Sequence, residues 1–163
     1  MQDKMTFLSE GIIKTLQTNH QSIATAESCT GGLLAYQFTA IAGASEVFLG
    51  GIVSYTDKIK HQCLGVPKEL LECYGAVSEP VVRAMLEGVF RVFGVTYAMA
   101  TSGVAGPSGG SAQNPVGTVY IGVQRYGLEP IVERHLLTGE RKEIQHQSCQ
   151  IALERLAKIS KFC

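Results

Sequence analysis

Hydrophobic and polar positions change period several times along the chain, and each change marks an element. Phe7, Leu8, Ile12, Ile13 and Leu16 recur at helical spacing, which predicts an amphipathic helix over residues 4–18. Asn19-His20-Gln21 turns the chain, and Ser22 to Ala26 reads as a first strand. An apolar helix runs from Leu33 to about Thr39, followed by a loop at 42–45. Val47 to Tyr55 is rich in β-formers, so it predicts a second strand, bulged or closely approached at Gly50-Gly51. Thr56-Asp57 caps a short helix carrying Lys58 and Lys60, which the 64–67 stretch breaks. Pro67 to Tyr74 is another short helix, closed by Gly75.

Ser78-Glu79-Pro80 is a strong helix start, with a polar N-cap and an acid and a proline in the first turn. Val81, Val82, Met85, Val89 and Phe93 continue its buried face to Gly94. Val95 to Thr101 is almost wholly apolar, as a strand covered on both faces requires. Ser102 to Pro115 is a glycine-rich loop. Val116 to Gln124 and Ile131 to Leu137 read as a hairpin turning at Tyr126-Gly127. The last helix starts at 138–141 and buries Ile144, Ile151, Leu153 and Leu156. This order predicts one domain over residues 1–163, a three-layer α/β/α sandwich on a mixed, mostly parallel sheet of about five strands.

Composition narrows the class. The 163 residues are 45% hydrophobic and 17% charged, which suits a packed globule. Lys+Arg and Asp+Glu are both 14, so no net field favours nucleic acid or an anionic membrane. The five cysteines show no CxxC spacing, and no signal-like or membrane-spanning run is present. The expectation is a cytoplasmic protein without disulfides or metal.

The candidate chemistry begins at Ala24-Thr25-Ala26-Glu27-Ser28-Cys29-Thr30-Gly31-Gly32, where a strand breaks into a helix. Such a junction concentrates unpaired N–H groups beside a serine hydroxyl. The plain alternative is that Ser28 or Thr30 only N-caps the helix. In an open α/β sheet, loops at strand carboxyl ends converge, which brings Ser28, Tyr55, Lys60 and Ser102 together and lets Arg141 join them. None of the four histidines sits beside a strong acid or a glycine motif, so a Ser–His–Asp triad has no carrier. ATP, dinucleotide and metal motifs are missing. A lysine can replace histidine as the base if its pKa is lowered, and Lys60 is the candidate; an ordinary surface lysine is the alternative. Cys29 is a rival nucleophile, its thiolate stabilised at the helix end.

These residues carry a resemblance. Ala26-Glu27-Ser28-Cys29-Thr30-Gly31-Gly32, then 48–55 with Lys60 following, is similar to the CinA C-terminal domain family. Leu64-Gly65-Val66, Gly75-Ala76-Val77-Ser78-Glu79, Ser102-Gly103-Val104-Ala105-Gly106-Pro107 and Pro115-Val116-Gly117-Thr118-Val119 extend the match in order along the chain. Stand-alone members resemble PncC-like deamidases of nicotinamide mononucleotide (NMN), which recycle pyridine nucleotides.

The resemblance implies Ser28 as nucleophile, Lys60 as general base and Tyr55 as their companion. It also implies that Ser102 positions the dyad or substrate and that Arg141 contacts the phosphate. Lys58 departs from the family pattern and adds a cation that either depresses the pKa of Lys60 or is merely solvated. In the expected acyl-transfer route, backbone N–H groups of Thr30 or Gly31 hold the oxyanion and Gly32 belongs to the cap. Gly103, Ala105 and Gly106 approach the ribose or phosphate in a loop that closes over the nucleotide. No cofactor is implied, the partner is the small-molecule nucleotide, and a homo-oligomer, a dimer, is expected. The competing readings are a non-catalytic nucleotide-binding module and an amidase or esterase of another small substrate.

Overall fold

The computed structural model describes residues 2–162, and in it the periodicity becomes a five-stranded sheet between two helical layers. The elements are α1 (Lys4–Thr18), β1 (Ile23–Glu27), α2 (Leu33–Thr39), β2 (Phe48–Val53), α3 (Asp57–Leu64) and α4 (Lys68–Tyr74). They continue as α5 (Glu79–Phe93), β3 (Tyr97–Gly103), β4 (Thr118–Arg125), β5 (Ile131–Leu136) and α6 (Arg141–Ile159). One short 3-10 turn, Ala44–Glu46, lies where the sequence reads as loop.

The strand order is β2-β1-β3-β4-β5, with β1 parallel to both neighbours and the β3-β4 and β4-β5 pairs antiparallel. Four of the five strands therefore point one way. All five residues of β1 are buried, as are the first six of β3. Alternation divides their side chains between two cores. Ile23, Tyr97 and Met99 pack with Ile12, Leu16, Phe38 and Leu153 under α1, α2 and α6. Ala24, Ala26, Ala98 and Ala100 face Leu64, Val82, Met85 and Val89 under α3 and α5. The alanines on that side let α5 lie close to the sheet.

Several expected details shift. The close approach expected at Gly50-Gly51 is present, since a Cβ on either would run into Phe93 or Thr25. The β1–β2 register slips beside it, between Ile23 and Ala24, with Leu49 as the bulged residue. β3 runs to Gly103, because Ser102 and Gly103 pair with Tyr120 and Val119 of β4. Ser102 is therefore a strand residue, and the glycine-rich loop begins after it. Thr56 caps α3 as expected, accepting the Ile59 N–H at 3.3 Å. Ser78 stands at the N-cap of α5, but its hydroxyl donates to Gly75 C=O at 2.7 Å. Among the described residues, no helix is long and apolar enough to cross a membrane.

Candidate active site

Because β1, β2 and β3 are parallel, their carboxyl ends meet at one edge of the sheet. A cleft of about 300 Å³ opens there, lined by Ser28, Cys29, Tyr55, Asp57 and Lys60, and across from them by Ser102, Gly103, Ala105, Gly106 and Arg141. A roomier hollow of about 480 Å³ lies beside it at α3 and α4, between Asp57, His61, Lys68 and Glu72. The nucleophile candidate Ser28 and the buried Lys60 both line the smaller cleft.

The turn after β1 is organised by a carboxylate. Glu27, 1% exposed, accepts the Thr30 hydroxyl at 2.6 Å, the Gly32 N–H at 3.3 Å and the Leu34 N–H at 2.8 Å on Oε1. Its Oε2 accepts the Ala35 N–H at 3.0 Å. Gly32 is the N-cap, with φ of 103°, a conformation that glycine adopts without strain. The cap expected from Ser28 or Thr30 is thus supplied by the preceding strand end, and the start of α2 faces Glu27 rather than Ser28. Gly31 N–H donates to Ser28 C=O at 3.1 Å, which removes it as an oxyanion donor. Thr30, Gly31 and Gly32 do not line the cleft; they shape the turn that holds Ser28.

Ser28 and Lys60 are brought together. Lys60 Nζ lies 3.0 Å from Ser28 Oγ and donates to Ser54 C=O at 2.9 Å and Tyr55 C=O at 3.4 Å. Lys60 is 1% exposed and makes no salt bridge among the described residues. Burial lowers its pKa below the ordinary 10.5, while Asp57 one helical turn earlier and Cys29 oppose the shift. Lys58 is exposed and has no part in that balance. Ser28 Oγ in turn donates to Tyr55 C=O at 3.4 Å. A lysine that loses one proton and keeps its two N–H bonds to carbonyls has a lone pair to offer the Ser28 proton.

The other candidates take distinct places. Tyr55 meets Lys60 through its carbonyl, while its hydroxyl accepts from Arg141 Nη2 at 2.9 Å. Arg141 Nη1 donates to Gly106 C=O at 2.7 Å, so the arginine is braced between two walls of the cleft. Ser102 donates to Ala76 C=O at 2.8 Å and does not touch the dyad. Cys29 is buried, and burial pushes its thiol up to about 12, the reverse of the stabilised thiolate expected at a helix end. His61 bonds Val66 C=O and His135 bonds Glu133, while His20 and His146 are exposed; none lines the cleft. Among the described residues, no group of three or more His, Cys, Asp or Glu side chains is placed to hold a metal ion.

Residues outside the expected set also build the site. Thr101 C=O accepts the Ser28 N–H at 3.0 Å, and its hydroxyl pairs with Thr30 at 2.8 Å. Gln145, one turn after Arg141, donates to Cys29 C=O at 2.9 Å. The i,i+4 spacing of Arg141 and Gln145 was the available signal for the second residue. An acid ending an apolar strand was the signal for Glu27.

The family model of the CinA C-terminal domain matches residues 5–160. A CinA-like protein of Gemmatimonas aurantiaca is 47% identical over 137 residues, 84% of this chain and 32% of that protein. A CinA-like protein of Thermotoga maritima is 42% identical over 154 residues, 94% of this chain and 37% of that protein. The chain spans about a third of the length of these curated relatives. Among solved structures, a competence-damaged protein (CinA) superfamily protein from Klebsiella pneumoniae superposes with a TM-score of 0.92 at 32% identity, covering 98% of this chain and 99% of that one. The competence/damage inducible protein CihA of Agrobacterium tumefaciens gives 0.93 at 35% identity, covering 98% and 97%.

Proposed function

The chain belongs to the CinA C-terminal domain family, and on that premise we propose that it is an amidohydrolase converting NMN to nicotinate mononucleotide and ammonia. The observation that carries this reading is the 3.0 Å approach to Ser28 Oγ of a buried Lys60 that makes no salt bridge among the described residues. Lys60 takes the serine proton as Ser28 Oγ attacks the carboxamide carbon. Collapse of the tetrahedral adduct breaks the C–N bond, and Lys60 returns the proton to the departing ammonia. Water, deprotonated by the same amine, then attacks the acyl carbon. The Ser28 Oγ–C bond breaks, Lys60 returns the proton to Ser28 Oγ and nicotinate mononucleotide is released.

The phosphate end of the substrate suits Arg141, whose planar guanidinium pairs with phosphate oxygens through two N–H bonds. Ala105 and Gly106 offer backbone to the ribose at the opposite wall. Ser102 belongs to the same wall and orients the substrate rather than the dyad. The test is ammonia release from NMN by wild type, Ser28→Ala and Lys60→Ala. The reading expects release by wild type alone. Full activity in Ser28→Ala sinks the dyad, and tight NMN binding without any release favours a nucleotide-binding module.

A further inference from the structure

The Ser28 carbonyl decides which backbone donors face the cleft. The β1–β3 ladder continues one rung past the end of β1, with Ser28 N–H donating to Thr101 C=O at 3.0 Å. The next parallel rung would run from Gly103 N–H to Ser28 C=O. It is not made, because Gly31 N–H takes that carbonyl at 3.1 Å. Gly103 cannot turn to β4 either. Val104 N–H donates to Thr118 C=O at 2.8 Å, so alternation along the antiparallel pair directs Gly103 N–H away from β4 and toward Ser28. Outside the strands, Gly103 N–H has no backbone acceptor among the described residues.

The same carbonyl fixes a second donor. In a planar trans peptide the C=O and N–H point in opposite directions, so holding Ser28 C=O on Gly31 aims Cys29 N–H the other way. That N–H has no backbone acceptor among the described residues. The next peptide is clamped as well, since Gln145 Nε2 donates to Cys29 C=O at 2.9 Å. Ser28, Cys29 and Gly103 all line the 300 Å³ cleft, whereas Thr30 does not. Backbone donors inside a protein are nearly always paired, so two uncommitted ones beside a nucleophile call for a ligand.

The geometry points to an oxyanion site formed by the N–H groups of Cys29 and Gly103, with Gln145 as the positioning residue that fixes the Cys29 peptides. The inference rests on the Ser28 nucleophile proposed above. As the Ser28 Oγ–C bond forms and the proton passes to Lys60 Nζ, the carbonyl π pair moves onto its oxygen. The two N–H groups receive that charge. Gln145 touches no reacting atom; it keeps the donors aimed.

A fluorophosphonate tests the site on the wild-type protein. Ser28 Oγ displaces fluoride, a Ser28 Oγ–P bond forms and Lys60 takes the serine proton, leaving a tetrahedral adduct whose phosphoryl oxygen stands for the oxyanion. The expected crystal structure of this adduct places that oxygen within hydrogen-bond distance of both Cys29 N and Gly103 N. Gln145→Met keeps the side-chain length and removes the donor. It is expected to lower kcat for NMN about 10- to 100-fold with KM within about twofold, and to slow phosphonylation by a similar factor.

An adduct oxygen aimed at Arg141 or solvent, or an undiminished kcat in a folded Gln145→Met, overturns the oxyanion site and leaves the dyad standing. Wild type that resists phosphonylation at Ser28 overturns the nucleophile, and this inference with it. Wild type that is phosphonylated at Ser28 yet releases no ammonia from NMN sinks the substrate reading alone. The adduct is read on wild type, so the proposal is tested even where Gln145→Met fails to fold.

Discussion

Glu27 Oε1 accepts the Leu34 N–H at 2.8 Å, so the last residue of β1 closes the first turn of α2 across the Ser28 loop. Three further donors share the same carboxylate: the Thr30 hydroxyl and the N–H groups of Gly32 and Ala35. Glu27→Gln replaces one acceptor oxygen by an NH2 that faces donors. Hydrogen bonds to a charged group contribute about 1.5–3 kcal/mol each, and one or more of them is lost inside the core. The unfolding temperature is expected to fall by roughly 3–12 °C, at about 2–4 °C per kcal/mol for a domain of this size. A variant as stable as wild type would show that the carboxylate does not hold the turn.

In the proposed mechanism Lys60 works only as the neutral amine, so activity is expected to follow its deprotonation. Its pKa lies below the ordinary 10.5 because it is buried. The expected profile of kcat/KM rises with pH and levels off below that value; at lower pH the amine is protonated and the rate is lost. Asp57 acts in the opposite direction, since its negative charge favours the protonated lysine. Asp57→Asn is therefore predicted to move the rise to lower pH, giving a faster reaction on the acid side and the same plateau. A rise moved to higher pH would mean that another group governs the titration.

Much of this arrangement was legible before the structure. The helix over 4–18, the Thr56 cap and the β4–β5 hairpin depend on local periodicity and turn chemistry, and they stand where the sequence puts them. The meeting of Ser28 with Lys60 follows from parallel strands whose carboxyl ends share an edge. What separates Lys60 from Lys58 is the face of α3, and Leu64, four residues on and equally buried, marks that face. The Glu27 cap left only the acid at the end of an apolar strand as its signal, because a carboxylate reaching four donors over 27–35 leaves no mark at N-cap spacing. The end of β3 was misjudged because only pairing with β4 extends it through Ser102 and Gly103.

The cysteines provide an independent check on the nucleophile. Cys63 and Cys73 are exposed, whereas Cys29 and Cys149 are buried, with burial raising the Cys29 thiol to about 12. At pH 8 iodoacetamide is expected to label Cys63 and Cys73 in the folded protein, and Cys29 and Cys149 only after unfolding. Peptide mapping by mass spectrometry reads the order. Labelling of Cys29 in the native state, with parallel loss of ammonia release, would return the thiol to contention.

Arg141 is held by one bond to Gly106 C=O at 2.7 Å and one to Tyr55 Oη at 2.9 Å, which brace the guanidinium over the cleft before any ligand arrives. A braced guanidinium loses little side-chain entropy on binding, so most of its charge-assisted pairing with a phosphate appears as affinity. Arg141→Ala is predicted to raise KM for NMN about 10- to 100-fold, the equivalent of roughly 1.5–3 kcal/mol for bonds to a charged group. Nicotinamide riboside, which has the same carboxamide and no phosphate, is expected to lose less than about threefold with the same variant. Tyr55→Phe removes only one brace, so its effect on NMN is expected to be smaller, about threefold to tenfold in KM, with kcat retained. Equal losses on both substrates would instead place Arg141 in the scaffold of the Gly106 loop, with the phosphate held elsewhere.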